Sequence, residues 1–134
     1  MSGFENPGQK IDPSTMLRDL FEADQQDRSS GLMEKDRQLF LERERVRYEE
    51  AQALYVLYEK DPALFSGEMK FDLALLFQHG TNTEDYERAL TLAQAAEQDG
   101  FDGADMLAQA AEDRYLLSIG QPQKWGTQML KERN

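Results

Sequence analysis

The sequence predicts an all-α fold, a small bundle of about five helices with no sheet. Three observations predict it. Apolar residues recur at spacings of three and four along most of the chain, the period of a helix with one buried face. Pro, Gly and Ser-Gly steps cut these stripes into helix-sized lengths. Alanines crowd the inner faces of the last two segments, which lets neighbouring helices approach closely. A chain of 134 residues is about one domain and can bury roughly two-thirds of its unfolded surface, enough for one core. Residues 13–134 are read as that domain. Residues 1–12, with Gly3, Pro7 and Gly8 and no periodic apolar pattern, are read as a flexible arm.

The first helix starts at Asp12-Pro13-Ser14. Asp12 or Ser14 can cap it and Pro13 suits its first turn. Leu17, Leu20 and Phe21 form its apolar stripe, and that stripe runs on into Asp24 and Arg28. A carboxylate and a guanidinium there can form a pair in a polar pocket or the exposed end of the helix. Ser29-Ser30-Gly31 is a break.

Residues 32–60 contain no Pro or Gly and read as helix. The half from Glu34 to Arg47 is dense in both charge signs, either a solvated face or a partner surface. The rest is apolar on one side through Val46, Ala53 and Leu57. One continuous helix would span roughly 43 Å, longer than a compact domain of this size needs. It therefore projects from the body, or bends or breaks near Glu42 to Arg47.

Asp61-Pro62 ends that segment, and Ser66-Gly67 is a turn. A third helix over about Met69 to His79 is apolar nearly all round (Phe71, Leu73 to Phe77), so it is buried, with Gly80 as a left-handed cap. Thr83 opens a fourth helix, with Glu84 and Asp85 in the first turn, where the helix dipole favours them. Its inner face is Tyr86, Ala89, Leu90, Ala93 and Ala96, and Gly100 stops it. A fifth runs from about Asp102 to Ile119, with Leu107, Ala110, Ala111, Arg114 and Leu117 inward, and stops at Gly120. Short connections make neighbours antiparallel, so the last three helices are expected as stacked hairpins of the tetratricopeptide or Sel1-like kind. No 34-residue repeat is sustained, so the likeness is one of architecture.

Composition narrows the function classes. There is no Cys, which excludes a thiol nucleophile, a thiolate metal site and a disulfide framework. No signal peptide is visible at the start, and the longest apolar run, Leu73 to Phe77, is far too short to cross a membrane. A cytoplasmic location follows by default. A formal net charge of −11 repels phosphate backbones and anionic membranes, so neither duplex nucleic acid nor a membrane is expected as a partner. A small anion in a local basic pocket is compatible with that charge.

Three places can carry chemistry. His79 is the single histidine and ends the most buried helix, where it can cap carbonyls or act as a general base. A metal is not expected there, because no second His exists and the nearby carboxylates lack ligand spacing. Asp113 and Arg114 are adjacent, with Arg114 on the apolar stripe. A half-buried Arg needs a partner, and Asp113, Asp24 or a ligand can supply one. The structural alternative is an ion-pair network tying this helix to the first. The third place is Gly120-Gln121-Pro122-Gln123-Lys124-Trp125-Gly126-Thr127-Gln128. Its amides donate and accept, its indole can stack on a planar ring, and Gly126 permits a positive φ. It suits a planar polar ligand, or equally a tail that buries Trp125 and caps helix ends.

These residues carry a resemblance. Asp113-Arg114 followed by Gly120-Gln121-Pro122-Gln123-Lys124-Trp125-Gly126-Thr127-Gln128 resembles the C-terminal signature of an uncharacterised, mainly bacterial domain-of-unknown-function family. Its pattern is Asp-Arg, then Gly-x-Pro-Gln-x-aromatic-Gly-Thr-Gln. Phe77-Gln78-His79-Gly80, Glu84-Asp85-Tyr86-Glu87-Arg88-Ala89 and Asp24-Gln25-Gln26-Asp27-Arg28 are similar to further elements of that family. The likeness covers about residues 15–129. The aromatic position is more often Tyr or Phe there and is Trp125 here. No activity is established for the family, so the resemblance implies candidate residues without a reaction. It implies that Asp24, Arg28, His79, Asp113, Arg114, Gln123 and Gln128 converge on one pocket.

The expectation is a helical binding module whose polar pocket takes a small ligand, anionic or nucleobase-like, or a peptide. Arg28 and Arg114 would meet anionic groups, Gln123 and Gln128 would hydrogen-bond, and Trp125 would stack. One alternative is a hydrolase or transferase with His79 as general base, Asp113 or Asp24 orienting it, and Arg114 stabilising negative charge. Another is a structural protein-interaction domain. No cofactor is implied.

Overall fold

The computed structural model describes residues 12–129, together with the backbone of Glu5–Asn6 and Gln9–Lys10. Among the described residues the chain is helical: α1 (Pro13–Ser29), α2 (Leu32–Lys35), α3 (Arg37–Lys60), a 3-10 turn at Pro62–Leu64, α4 (Gly67–Gln78), α5 (Thr83–Gln98) and α6 (Ala104–Ser118). The expected absence of sheet has one exception, a two-residue antiparallel ladder of Glu5–Asn6 with Gln9–Lys10. The expected flexible arm otherwise lies mostly outside the described residues.

In α1, Asp12 holds the N-cap position without a side-chain bond and Pro13 takes the first turn. Leu17, Leu20, Asp24 and Asp27 follow one another at steps of three and four, and all are buried. The apolar stripe thus passes directly into two buried carboxylates. Gly31 adopts φ 73° and reverses the chain.

The long second segment does break, but at Asp36 rather than between Glu42 and Arg47. Asp36 has φ −152° and its carboxylate accepts from Leu39 N at 3.1 Å. That Asp competes for a backbone N–H as a cap, and the competition ends α2 and starts α3. The 24 residues of α3 then run about 36 Å.

The buried helix α4 begins at Gly67, earlier than its apolar run suggests. Ser66 caps it by accepting from Met69 N at 3.2 Å. Gly80 does not act as a left-handed cap, since its φ is not positive. Glycine is required there for a different reason: a Cβ would overlap the Asp85 side chain. The αL glycines of the second half are Gly100, Gly103 and Gly120 at helix ends and Gly126 in the terminal segment.

The core gathers around Phe77, which has no exposed surface. Tyr48 and Tyr55 from α3 meet its ring edge-on, with centroids at 6.3 and 5.7 Å. Leu17, Leu54, Leu73 and Leu92 bring α1, α3, α4 and α5 into the same cluster. Ala89, Ala93 and Ala96 of α5 and Ala104, Ala108 and Ala111 of α6 are buried, and α6 packs on α5. This packing leaves the C-terminal end of α4 between α1 and α3 on one side and α6 on the other.

Candidate functional site

Asp24 is the centre of a charged cluster between α1, α3 and α4. Its side chain is 1% exposed. Arg28, one turn along α1, donates from Nε at 2.9 Å, and Gln25 adds a bond at 3.1 Å. From the C-cap of α4, His79 sets Nδ1 at 3.0 Å from the same carboxylate. Burial works against the charge on Asp24, but His79 and Arg28 outweigh it and hold the carboxyl below its ordinary value. An ionised Asp24 fixes the imidazole with its Nδ1 edge inward.

Behind this pair lies a second layer that was not foreseen. Asp27 is buried and accepts from Arg47 at 2.7 Å and Arg43 at 2.9 Å. Arg47, itself 6% exposed, also grips Glu44 at 2.8 Å. Glu44 accepts from Arg28 at 2.6 Å, which closes the network. The charge-dense half of the second segment is therefore neither simply solvated nor a free partner surface. Part of it pairs with α1. The ion-pair network to the first helix exists, but it comes from α3 and not from the helix that carries Asp113.

A cleft of about 30 Å³ opens against the dyad, lined by Asp24, Glu44, Arg47, Tyr48, His79 and Gly80 with Ala51 and Leu76. That is room for about one or two waters. Tyr48 closes one side by donating to the buried Asp85 at 2.6 Å. Burial and the Asp85 charge push the Tyr48 hydroxyl above its ordinary range, so it stays a donor. Asp85 also accepts from Thr81 N at 3.1 Å. It is a buried acceptor holding the α4–α5 turn, a role its place in the first turn of α5 did not reveal.

The other expected site residues form a separate assembly. Asp113, not Arg114, is the fully buried member of its pair. One carboxylate oxygen accepts from Lys124 N at 2.8 Å and Trp125 N at 2.9 Å. The other accepts from the N–H and hydroxyl of Thr127 at 2.8 and 2.7 Å. Burial opposes the charge, yet these donors hold the carboxyl down at about 2. Asp113 is thus committed to the terminal segment and does not orient His79. Arg114 finds neither Asp113 nor Asp24. It donates to the Gln78 carbonyl at 2.7 Å and the Gln128 amide at 3.2 Å, and lies over the Tyr86 ring.

Gln123 and Gln128 bond each other reciprocally, side chain to backbone, at 2.9 and 2.8 Å. Gly126 has φ 72°, the positive value its position allowed. Trp125 is 47% exposed, so the tail that buries it does not form. Its indole donates to Glu112 at 2.9 Å. Arg114 lines a concavity with Tyr86 and Ser118, and Trp125 lines another with Glu112 and Lys124. The expected single pocket is therefore not what the structure holds. Asp24, Arg28 and His79 come together, while Asp113, Arg114, Gln123 and Gln128 come together elsewhere. Residues Gln78 to Gly80 run between the two groups.

Among the described residues no helix is long and apolar enough to cross a membrane. No family model, curated protein or solved structure matches the chain, so the likeness of the terminal signature rests on its own residues.

Proposed function

We propose that this protein is a helical binding module whose site is the Asp24–His79 cleft. The observation that carries the reading is the imidazole held at 3.0 Å by a nearly inaccessible carboxylate at the edge of a small polar cleft. Clefts with perturbed titratable groups are the default candidates for sites. The cleft is too small for a nucleobase, so a ligand inserts one small polar group. The carboxylates around it are already engaged: Asp24 and Glu44 by guanidiniums, Asp85 by Tyr48 and Thr81. An arriving group meets the outer edge of His79 with the Arg47 guanidinium in the cleft wall, which favours an anionic oxygen.

The tetratricopeptide or Sel1-like reading of α4, α5 and α6 as antiparallel hairpins is part of the same proposal. Support for that reading is the short Gly-containing connections and the packing of α5 on both neighbours. The test is a thermal-shift and NMR titration with acetate, inorganic phosphate and acidic metabolites. Saturable stabilisation that His79→Asn abolishes supports the site. No response to any of them sinks it.

A second reading, hydrolase or transferase chemistry with His79 as general base, is favoured by one specific feature. Asp24 engages Nδ1, which leaves Nε2 for proton transfer, the division of labour seen in carboxylate–histidine pairs. Turnover of ester or phosphodiester substrates that falls by about 10²-fold or more in His79→Asn would establish it. Equal background rates in both proteins would remove it.

A further inference from the structure

A cavity of about 270 Å³ lies between α5, α6 and the terminal segment, and it shares no residue with the His79 cleft. Its walls carry Gln94 and Glu97 from α5, Asp105 and Glu112 from α6, and Lys124 and Trp125. The indole forms a rigid wall. The Trp125 backbone N–H is tied to the buried Asp113, and Nε1 is tied to Glu112. Even so, the ring is about half exposed. An aromatic face kept in place yet outside the core is a surface prepared for contact.

That face already carries a cation. The Lys124 ammonium sits 5.0 Å from the ring centroid, within cation–π range, and 3.9 Å from Glu112. Its side chain is 59% exposed, so it can swing off its seat. Glu97 and Asp105, on the other walls, have no ion-pair partner among the described residues. Three carboxylates against one mobile ammonium leave the cavity short of positive charge.

We infer that this cavity binds a small organic cation, an alkylguanidinium or alkylammonium. The cationic head lies on Trp125 beside Glu112, and a second charge reaches Glu97 and Asp105. Lys124 holds the seat in the free protein and yields it to the ligand. An arginine side chain in a peptide presents the same chemistry, and the test separates the two sources.

The probes are agmatine and an N-acetylated, C-amidated tripeptide with a central arginine. Both are titrated into the full chain by calorimetry and by Trp125 fluorescence at low salt. Saturable one-site binding that weakens with added sodium chloride is expected. Tighter agmatine marks a free diamine-like ligand, and a tighter tripeptide marks a peptide side chain; either outcome supports the site. Lys124→Ala removes the resident competitor and should tighten binding about two- to fivefold. Asp105→Asn, at an exposed position, should weaken it by a similar factor. Trp125→Ala keeps the backbone bonds to Asp113 and should weaken it about fivefold. His79→Asn should leave it unchanged, which keeps this site separate from the proposed function. No saturable binding of either probe, or equal affinity in wild type, Lys124→Ala and Trp125→Ala, overturns the inference.

Discussion

Asp113→Asn tests how the terminal segment is held. One carboxylate oxygen accepts the N–H groups of Lys124 and Trp125, and the other accepts the N–H and hydroxyl of Thr127. An asparagine can replace either oxygen but not both. Whichever way it turns, its NH₂ faces a backbone N–H, and two donors meet. The depression of the carboxyl from 3.8 to about 2 corresponds to at most about 2.5 kcal/mol at neutral pH. Water around the exposed turn screens part of it, so about 1–2 kcal/mol is expected.

The sign follows from the lowered value. The stabilisation is complete above the unfolded-state pKa and disappears as pH falls through about 2. The chain's single Trp lies in this segment and reports on it directly. In Asp113→Asn at neutral pH, Trp125 emission should shift to the red and quench more readily with acrylamide, while far-UV circular dichroism stays unchanged. Urea midpoints should fall by the stated amount. Identical emission, quenching and stability in the two proteins would refute the assignment of Asp113 as the anchor.

Gly80→Ala forces a methyl into the Asp85 side chain and should cost about 1–3 kcal/mol in urea unfolding; a change within about 0.5 kcal/mol would contradict the close approach. Arg47→Met leaves Asp27 and Glu44 short of a buried partner and should cost about 3 kcal/mol. Arg45→Met, whose pairs are exposed, should cost under about 0.5 kcal/mol, and equal losses would show that burial is not what matters. Asp72 is pushed up to about 6 by burial and by Glu68, against the pull of Arg18. Its folded state therefore holds the proton more tightly, and a penalty develops as pH rises from about 4 to about 6. Asp72→Asn should stabilise the protein at neutral pH by about 1–2 kcal/mol with little effect at pH 4, and a loss at neutral pH would reverse that sign.

Much of the helical framework was legible because its punctuation is local. Pro13, Asp61-Pro62, Gly100 and Gly120 each act on their own backbone, and the structure ends or starts helices at those places. The break at Asp36 was not legible. Glu-Lys-Asp-Arg-Gln is a run of residues compatible with helix, and only the Asp36–Leu39 cap distinguishes it. The polar sites were legible as residue types and not as partnerships. Asp24 reaches His79 across 55 positions and Asp27 reaches Arg47 across 20, and such pairings leave no periodic trace.

Asp113 and Arg114 show the cost of a one-residue error. Neighbours on a helix point about 100° apart, so placing Arg114 on the inner stripe moved the buried charge onto the wrong side chain. Asp85 was read through the helix dipole, which applies equally to exposed and buried carboxylates. A usable signal was its company: Gly80 five residues earlier, which leaves room for its side chain.

The most direct test of the proposed site uses the one histidine in the chain, whose ring signals need no assignment. A ¹³C–¹H spectrum of the His79 imidazole is followed during titration with inorganic phosphate and acetate. The account predicts saturable shifts at His79 that disappear in Arg28→Ala, where Asp24 and Glu44 lose the guanidinium they share. Ring signals that stay fixed while the anions are added would contradict it.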